Sequence, residues 1–357
     1  MSARSAERGF SLIELLVSTT IGLIVIGAAL TAFNSGVEIN DVASQLADSS
    51  HNLRTGANLL IRDLMQTGRG IPTGGISIPS EGAAAIKRPG PDGSTLYFDN
   101  TTATTLSAVT TGHDKGPPVN GQPTDIVTLL MIDSILDEFL LQPLQLNPST
   151  TPGSVPKLSA DGSSLNVGPN TGWIAGDAAN GRNPVAAGDL ILFTNPGGST
   201  ALQTVTRVDA SNVYFESGDA FNLNQRSAPA GSITPLLGTL LTAQRVLMYT
   251  YFVNVKPDEP PRLARKLNHF DKTPLVGVVE DLELSYDLVD GTTNPTGVTE
   301  LPYTANGVTY SANLIRKANV HIGVRSEAMS LKRHEYQRNH LSTVVSLRNL
   351  AFVDRYR

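Results

Sequence analysis

The sequence predicts an α+β protein in which one long N-terminal helix carries a β-rich head with long loops. Residues 10–33 form an almost uninterrupted apolar run, and residues 34–67 continue it with apolar residues at a helical period. The remaining residues, 68–357, contain short β-branched and aromatic segments separated by turns rich in Gly, Pro, Asn and Asp. These observations define a two-part helix followed by one large head.

The apolar run contains a single ionisable residue, Glu14. As a helix it would extend roughly 36 Å, enough to cross a hydrocarbon core of about 30 Å. A carboxylate costs about 2.5–3.5 kcal/mol at the bilayer centre and less near its edge, so Glu14 is a functional candidate. Arg4 and Arg8 precede the run, and the positive-inside rule places them in the cytoplasm. The sequence therefore predicts a single-pass membrane anchor with an extracytoplasmic head.

Residues 1–9 form a short polar leader, and Gly9 stands immediately before the apolar run. An ordinary secretory signal is cleaved after its apolar region, whereas here the candidate site lies before it. The run from Gly9 to Glu14, Gly-Phe-Ser-Leu-Ile-Glu, resembles the class III leader of type IV prepilins and type II secretion pseudopilins. This resemblance implies that prepilin peptidase cleaves between Gly9 and Phe10 and that the new amine of Phe10 is methylated.

The same resemblance implies that Glu14 pairs with the N-terminal amine of a neighbouring subunit. Cleavage would create an ammonium about one helical turn from Glu14, and opposite charges stabilise each other strongly where the dielectric constant is low. The alternative is a plain transmembrane anchor that tolerates one polar residue near its end.

Residues 34–67 are predicted to be the amphipathic half of the same helix. Six apolar residues fall near one face: Val42, Leu46, Leu53, Ala57, Leu60 and Leu64. Gly36 and Gly56 lower helix propensity, which predicts local fraying. Gly68, Gly70 and Pro72 predict that the helix ends around Thr67. The apolar face is expected to hold the head.

The head is predicted to contain strands within residues 94–98, 125–131, 187–193, 203–208, 213–216, 243–255, 262–265, 276–288 and 318–326, the last of which precedes a polar loop. Residues 133–146 are interpreted as a short helix or an edge insertion. Residues 147–183, which include Trp173, are rich in Pro, Gly, Ser and Asn and are predicted to be a loop-rich excursion. We expect this excursion to be a linker, with a partner-contacting loop as the alternative.

Several head segments are similar to those of PilW-type minor pilins: residues 188–193, 245–251, 262–265, 279–287 and 344–349. GspJ-like pseudopilins share the helix and a β-rich head but are typically shorter than this chain, so length favours the PilW type. The resemblance implies a structural component of a minor-pilin complex that initiates type IV pilus polymerisation near the fibre tip. Its implied partners are prepilin peptidase, the other minor pilins, the major pilin and, as a further candidate, a tip adhesin.

No enzyme is predicted. Cysteine is absent, the six histidines are scattered, and His334-Glu335 lacks the second histidine of a zincin helix. We expect no cofactor and no metal; Asp287 and Asp290 could supply oxygens to calcium, but Asp290-Gly291 is better explained as a turn.

Residues 316–357 carry nine Lys/Arg against three Asp/Glu. This basic region is interpreted as a solvated face, with docking to acidic subunits or DNA contact as alternatives. Nucleic-acid binding is not favoured, because few aromatic residues accompany the charges.

Overall fold

The computed structural model describes residues 11–79, 84–91, 95–98, 103–133, 144–148, 150–169, 171–176, 184–330 and 334–350. It has the predicted α+β fold, with a single long helix, α1 (Leu12–Gln66), followed by a β-rich head. The predicted leader, residues 1–9, and the predicted N-terminal residue of the mature chain, Phe10, lie outside the described residues. The predicted helical alternative for residues 133–146 falls almost entirely outside them as well.

The strands are β1 (Ile76–Ser77), β2 (Lys87–Pro89), β3 (Thr95–Tyr97), β4 (Thr105–Leu106), β5 (Val109–Thr110), β6 (Gly116–Val119), β7 (Gln122–Thr124), β8 (Val127–Ile132), β9 (Leu144–Leu146), β10 (Lys157–Leu158), β11 (Ser164–Asn166), β12 (Leu190–Thr194), β13 (Thr200–Thr204), β14 (Arg207–Val208), β15 (Asn212–Tyr214), β16 (Leu241–Asn254), β17 (Arg262–Leu267), β18 (Thr273–Leu288), β19 (Tyr303–Ala305), β20 (Val308–Tyr310), β21 (Ile315–Arg325) and β22 (Arg338–Ser346). A short helix, α2 (Gly172–Ala175), precedes β12.

The helix α1 begins at Leu12, with Ser11 as its N-cap, and has 55 residues, so it is about 82 Å long. It runs without a break through Gly36 and Gly56, so the predicted fraying at these two glycines is wrong. Its end agrees with the predicted one. Gly68 follows with a φ of +82°, and a Cβ there would lie 2.5 Å from a methyl group of Leu350, which explains why the chain turns at a glycine.

One antiparallel sheet forms the framework of the head, with the strand order β13-β12-β16-β17-β18-β21-β22. The long central strand β16 also pairs with β8 and β9, and β5 pairs with β8. On β18 and β21 the side chains alternate, with apolar residues buried on one face and polar residues half exposed on the other. The end of α1 packs on the buried face together with β18, β21 and β22.

A second apolar cluster lies beneath the small sheet β10-β11-β15-β14 and includes Trp173, Phe193 and Phe215. Trp173 of α2 is 1% exposed. Its burial corrects the prediction that residues 147–183 are only a surface linker, because β10, β11 and α2 of this segment help to form a core. The predicted strand 203–208 is likewise divided, since β13 belongs to the main sheet and β14 to the small one.

Candidate assembly site

The head leaves most of the first part of α1 uncovered. Residues of α1 that are buried begin only at Ser49, so we call residues 12–48 the free half and residues 49–66 the packed half. Large apolar side chains are exposed all around the free half, for example Leu12 at 78%, Leu23 at 69% and Phe33 at 68%. Within the described residues, α1 is the one helix that is long and apolar enough to cross a membrane. A helix that is apolar on every side requires lipid or other apolar helices around it.

The predicted functional carboxylate, Glu14, lies in the first turn of α1 and is exposed. Its Oε2 accepts a hydrogen bond from the backbone N–H of Ser11 at 3.0 Å, and the Ser11 hydroxyl accepts one from the N–H of Ile13 at 3.3 Å. This reciprocal capping box orients the carboxylate towards the helix N-terminus, where unpaired N–H groups favour negative charge. Glu14 therefore points to the end of the helix at which the predicted amine of Phe10 would be created.

Hydroxyl side chains of the apolar run bond to the helix that carries them. Ser18 Oγ donates to the carbonyl of Glu14 at 2.6 Å, Thr19 Oγ1 to that of Leu15 at 2.9 Å, and Thr20 Oγ1 to that of Leu16 at 2.7 Å. An unpaired hydroxyl is costly in hydrocarbon, and bonding within the helix removes that cost. Glu14 is consequently the one strongly polar group that the run presents to its surroundings.

The packed half is held by a narrow apolar stripe. Leu53, Ala57, Leu60 and Leu64 are at most 3% exposed, as the helical period predicted. Leu46 is 43% exposed, however, so the stripe that holds the head is shorter than predicted. The reason is geometric: fully buried residues of α1 begin at Ser49, and below it the sheet only half-buries side chains such as those of Val42 and Gln45.

A buried carboxylate, Asp63, lies inside this stripe and was not identified from the sequence. Asp63 Oδ2 accepts a hydrogen bond from the hydroxyl of Tyr251 at 2.6 Å. The same oxygen forms an ion pair with Arg265 Nη1 at 3.0 Å. Burial and the nearby charge of Asp63 raise the pKa of Tyr251 far above its ordinary value. Asp63 stands three residues after Leu60 and one before Leu64, and this position on the apolar face was the available signal.

The end of α1 is bonded to the end of the head. The side-chain amide of Asn349 lies within 3.2–3.5 Å of the carbonyl oxygens of Met65, Gln66 and Thr67, which lack partners within the helix. Near the start of the packed half, Asn339 Nδ2 donates to Ser50 Oγ at 2.9 Å. The last strand and the segment after it therefore fix both ends of the packed half.

A second polar cluster joins His113, Asp114 and Asp125, whose ligand-type atoms lie within 4.8 Å of one another. His113 Nδ1 is 3.0 Å from Asp125 Oδ1, and Asp125 also accepts the backbone N–H groups of Asp114 and Leu284 at 2.9 and 2.7 Å. Burial lowers the pKa of His113, but the hydrogen bond and charge of Asp125 outweigh burial and raise it. These contacts join the segment after β5 to β18, and no local sequence pattern predicts them.

The calcium alternative centred on Asp290 has a different explanation in the structure. Asp290 Oδ1 accepts three backbone N–H groups, those of Thr292, Thr293 and Asn294, at 2.8–3.0 Å. These hydrogen bonds lower the pKa of Asp290. The carboxylate closes its own turn, as the Asp-Gly pattern predicted.

Comparison with known proteins adds one match to this geometry. The model of the prokaryotic N-terminal methylation motif matches residues 4–30, the leader and most of the apolar run. The chain has a prepilin-type N-terminus. Neither a curated protein nor a solved structure matches the chain.

The motif and the exposed helix together support a pilin or pseudopilin, of a type IV pilus or of a secretion system. They imply processing by prepilin peptidase, assembly with other pilins, and a helix consistent with inner-membrane anchoring. Gly9 and Phe10 lie within the matched residues, and so does Glu14.

Proposed function

We propose that this chain is a minor pilin of the PilW type, which helps to initiate type IV pilus polymerisation as part of a priming complex near the fibre tip. The observation that carries the proposal is the free half of α1. Its apolar run, residues 12–33, presents apolar side chains on all sides and a single carboxylate, Glu14, which lies within the methylation motif. A helix of this kind is suited to exchange lipid for the helices of neighbouring subunits.

In the proposed mechanism, prepilin peptidase cleaves between Gly9 and Phe10, and the amine of Phe10 is methylated. Glu14 then neutralises the N-terminal amine of an adjacent subunit while the apolar run moves from the bilayer into the filament core. Burying either charge alone would be costly, so the pair favours the register in which both are matched. The packed half of α1 transmits this position to the head, because the buried Asp63–Arg265 pair and the Asn349 contacts fix the head on the helix.

We further propose that the protein acts by assembly, with neither a catalytic role nor a cofactor. The length of the chain and its head segments support a pilus over a secretion system. The second candidate is a minor pseudopilin of a type II secretion system, which the same N-terminal motif also favours. Deletion separates the two: loss of pili with normal protein export supports the minor pilin, and loss of export with normal pili supports the pseudopilin.

The first experiment tests processing itself. The full chain is co-expressed with a prepilin peptidase, and its intact mass and N-terminal sequence are compared with those of a Gly9→Val variant. We expect a mature chain that begins with methylated Phe10 and an uncut variant. An uncut wild-type chain would contradict the proposal, since Glu14 would then have no amine to pair with.

A further inference from the structure

One long edge of the main sheet is open. β22 forms nine consecutive antiparallel pairs with β21, from Lys317↔Ser346 to Arg325↔Arg338, without a bulge. No strand in the described part of the chain pairs with the other side of β22. Natural monomers usually protect such an edge with a bulge, a proline or a very short strand, because unpaired N–H and C=O groups recruit another strand. β22 has none of these three protections.

Two hydrogen bonds that flank the pairing show which backbone groups face outwards. The N–H of Ser326 donates to the carbonyl of Gln337 at 2.7 Å, and the N–H of Leu347 donates to the carbonyl of Arg316 at 3.0 Å. The odd-numbered residues of β22 therefore bond to β21. Because bonding alternates along an antiparallel pair, its even-numbered residues direct their N–H and C=O groups away from the sheet.

The outward-facing residues are Arg338, His340, Ser342, Val344 and Ser346. The N–H of His340 is already bonded to the side chain of Asn339 at 2.8 Å. The other end of the strand, from Ser342 to Ser346, carries small or β-branched side chains, and Val344 is 60% exposed. This end is uncharged and extended, so it is suited to accept a further strand.

The direction of β22 limits what that further strand can be. Asn339, at the start of β22, contacts Ser50, whereas Asn349, just after its end, contacts Gln66. β22 thus runs in the same direction as α1. Two copies joined antiparallel through β22 would be related by a two-fold axis, and their α1 helices would point in opposite directions. Two such helices cannot be anchored in the same membrane.

The opposite edge of the sheet does not offer a partner strand either. At β13, the side-chain amide of Asn224 bonds to both the N–H and the C=O of Thr204, each at 2.8 Å. All five residues of β13 are buried. A head-to-tail contact between β22 and the β13 edge of a second copy is therefore blocked, which favours a different polypeptide as the partner.

We propose that β22 accepts an extended segment of a different membrane-anchored subunit of the same assembly, which adds a strand to the main sheet beside Ser342–Ser346. Backbone N–H and C=O groups would provide the pairing, and an apolar side chain opposite Val344 would cover its exposed surface. This inference rests on the proposed function, because it requires a neighbour whose helix has the same orientation in the membrane.

The test uses the full chain in the native membrane of cells that produce it. A photo-crosslinking residue, Val344→p-benzoylphenylalanine, is compared with the same replacement at Val308, which is 50% exposed on β20. We expect position 344 to cross-link another chain with a prepilin-type N-terminus and position 308 not to do so. A cross-link to a second copy of this chain, or yields equal at the two positions, would overturn the inference.

A backbone variant tests strand pairing itself. With the photo-crosslinker at Ser346, Val344→Pro removes one outward N–H but none that bonds to β21, and edge strands tolerate such prolines. We expect it to lower the cross-linking yield about tenfold, through the lost hydrogen bond and the clash of the ring, whereas Val344→Thr keeps the yield. An unchanged yield in the proline variant would contradict strand addition.

Folding and processing are followed in the same samples. Thermal unfolding of the purified full chain shows whether the head of the Val344→Pro variant is folded. If it is not, the Ser342→Pro variant is used instead. A chain that is cleaved at Gly9 but gives no cross-link refutes strand addition alone. An uncleaved chain refutes the proposed function, and with it the common orientation on which strand addition depends.

Discussion

The two halves of α1 have the same helical backbone conformation, but the side chains of the free half are exposed and those of the packed half contact the head. The free half leaves Leu23 and Phe33 more than two-thirds exposed, whereas the packed half buries Leu60 and Leu64 completely. Each half also carries one carboxylate in an unusual setting. Asp63 has its partners, Tyr251 and Arg265, within the same chain. Glu14 contacts only its own helix turn, so any opposite charge for it comes from outside the described residues. Folding of the chain thus supplies the partners of the packed half, whereas partners of the free half come from other molecules.

The largest expected effect comes from removing the charge in the free half. Glu14→Leu should leave membrane anchoring and the melting temperature of the head unchanged while assembly is lost. Breaking one partner of a buried ion pair costs about 3–5 kcal/mol, which is more than a hundredfold in an association constant. Incorporation into pili or into the minor-pilin complex is the measurement.

The matched control is Asp48→Leu, which removes another exposed carboxylate of the free half, well beyond the end of the apolar run. Equal losses of assembly in both variants would show that total helix charge, and not the position of Glu14, governs incorporation.

The next effect compares the same substitution in the two halves. Leu60→Ala removes a fully buried side chain from the stripe beneath the sheet and should lower the free energy of unfolding by about 2–5 kcal/mol. Leu23→Ala, on the free half, should leave head stability unchanged. Chemical denaturation of the full chain in detergent, followed by a signal from Trp173, measures both. If Leu23→Ala also destabilised the head, the two halves would not be independent.

The sequence predicts the environment of the free half better than that of the packed half, and the reason is physical. An environment of lipid or neighbouring helices requires only that residues 12–33 be apolar, and composition records that directly. The packed half depends on residues far along the chain. Asp63 is matched by side chains 188 and 202 residues away, and this pairing has no local pattern. The predicted stripe was therefore correct at Leu53–Leu64, while its lower limit and its buried acid required the structure.

The head shows the same division. Long strands such as β16 and β18 were predicted within a few residues because their alternation is local. The second core around Trp173 was missed, because residues 147–183 have the composition of a loop and their apolar residues are few. Burial there arises from contact with β12, β15 and β16, which no local period reveals.

The smallest effect tests whether the head responds to pH independently of α1. Glu283 lies on the half-exposed face of β18, away from the helix. Burial, followed by the charges of Asp125 and Asp281, raises its pKa to about 7. A carboxyl group whose pKa is raised by folding contributes its full stability below its ordinary pKa of 4.5, and that contribution is lost as the pH rises through 7.

Wild-type stability relative to Glu283→Gln should therefore fall between pH 4.5 and 8, by less than about 1 kcal/mol because solvent screens the group. Because the charge of Glu283 also raises the pKa of His113, the comparison is repeated with His113→Gln in both proteins, which removes the titration of His113. Melting temperatures of the two proteins between pH 4.5 and 8 measure this difference in stability. A difference that grew with rising pH would reverse the sign and show that the Glu283 carboxylate is stabilised by the fold. It would then be matched by a positive charge, as Asp63 is in the packed half.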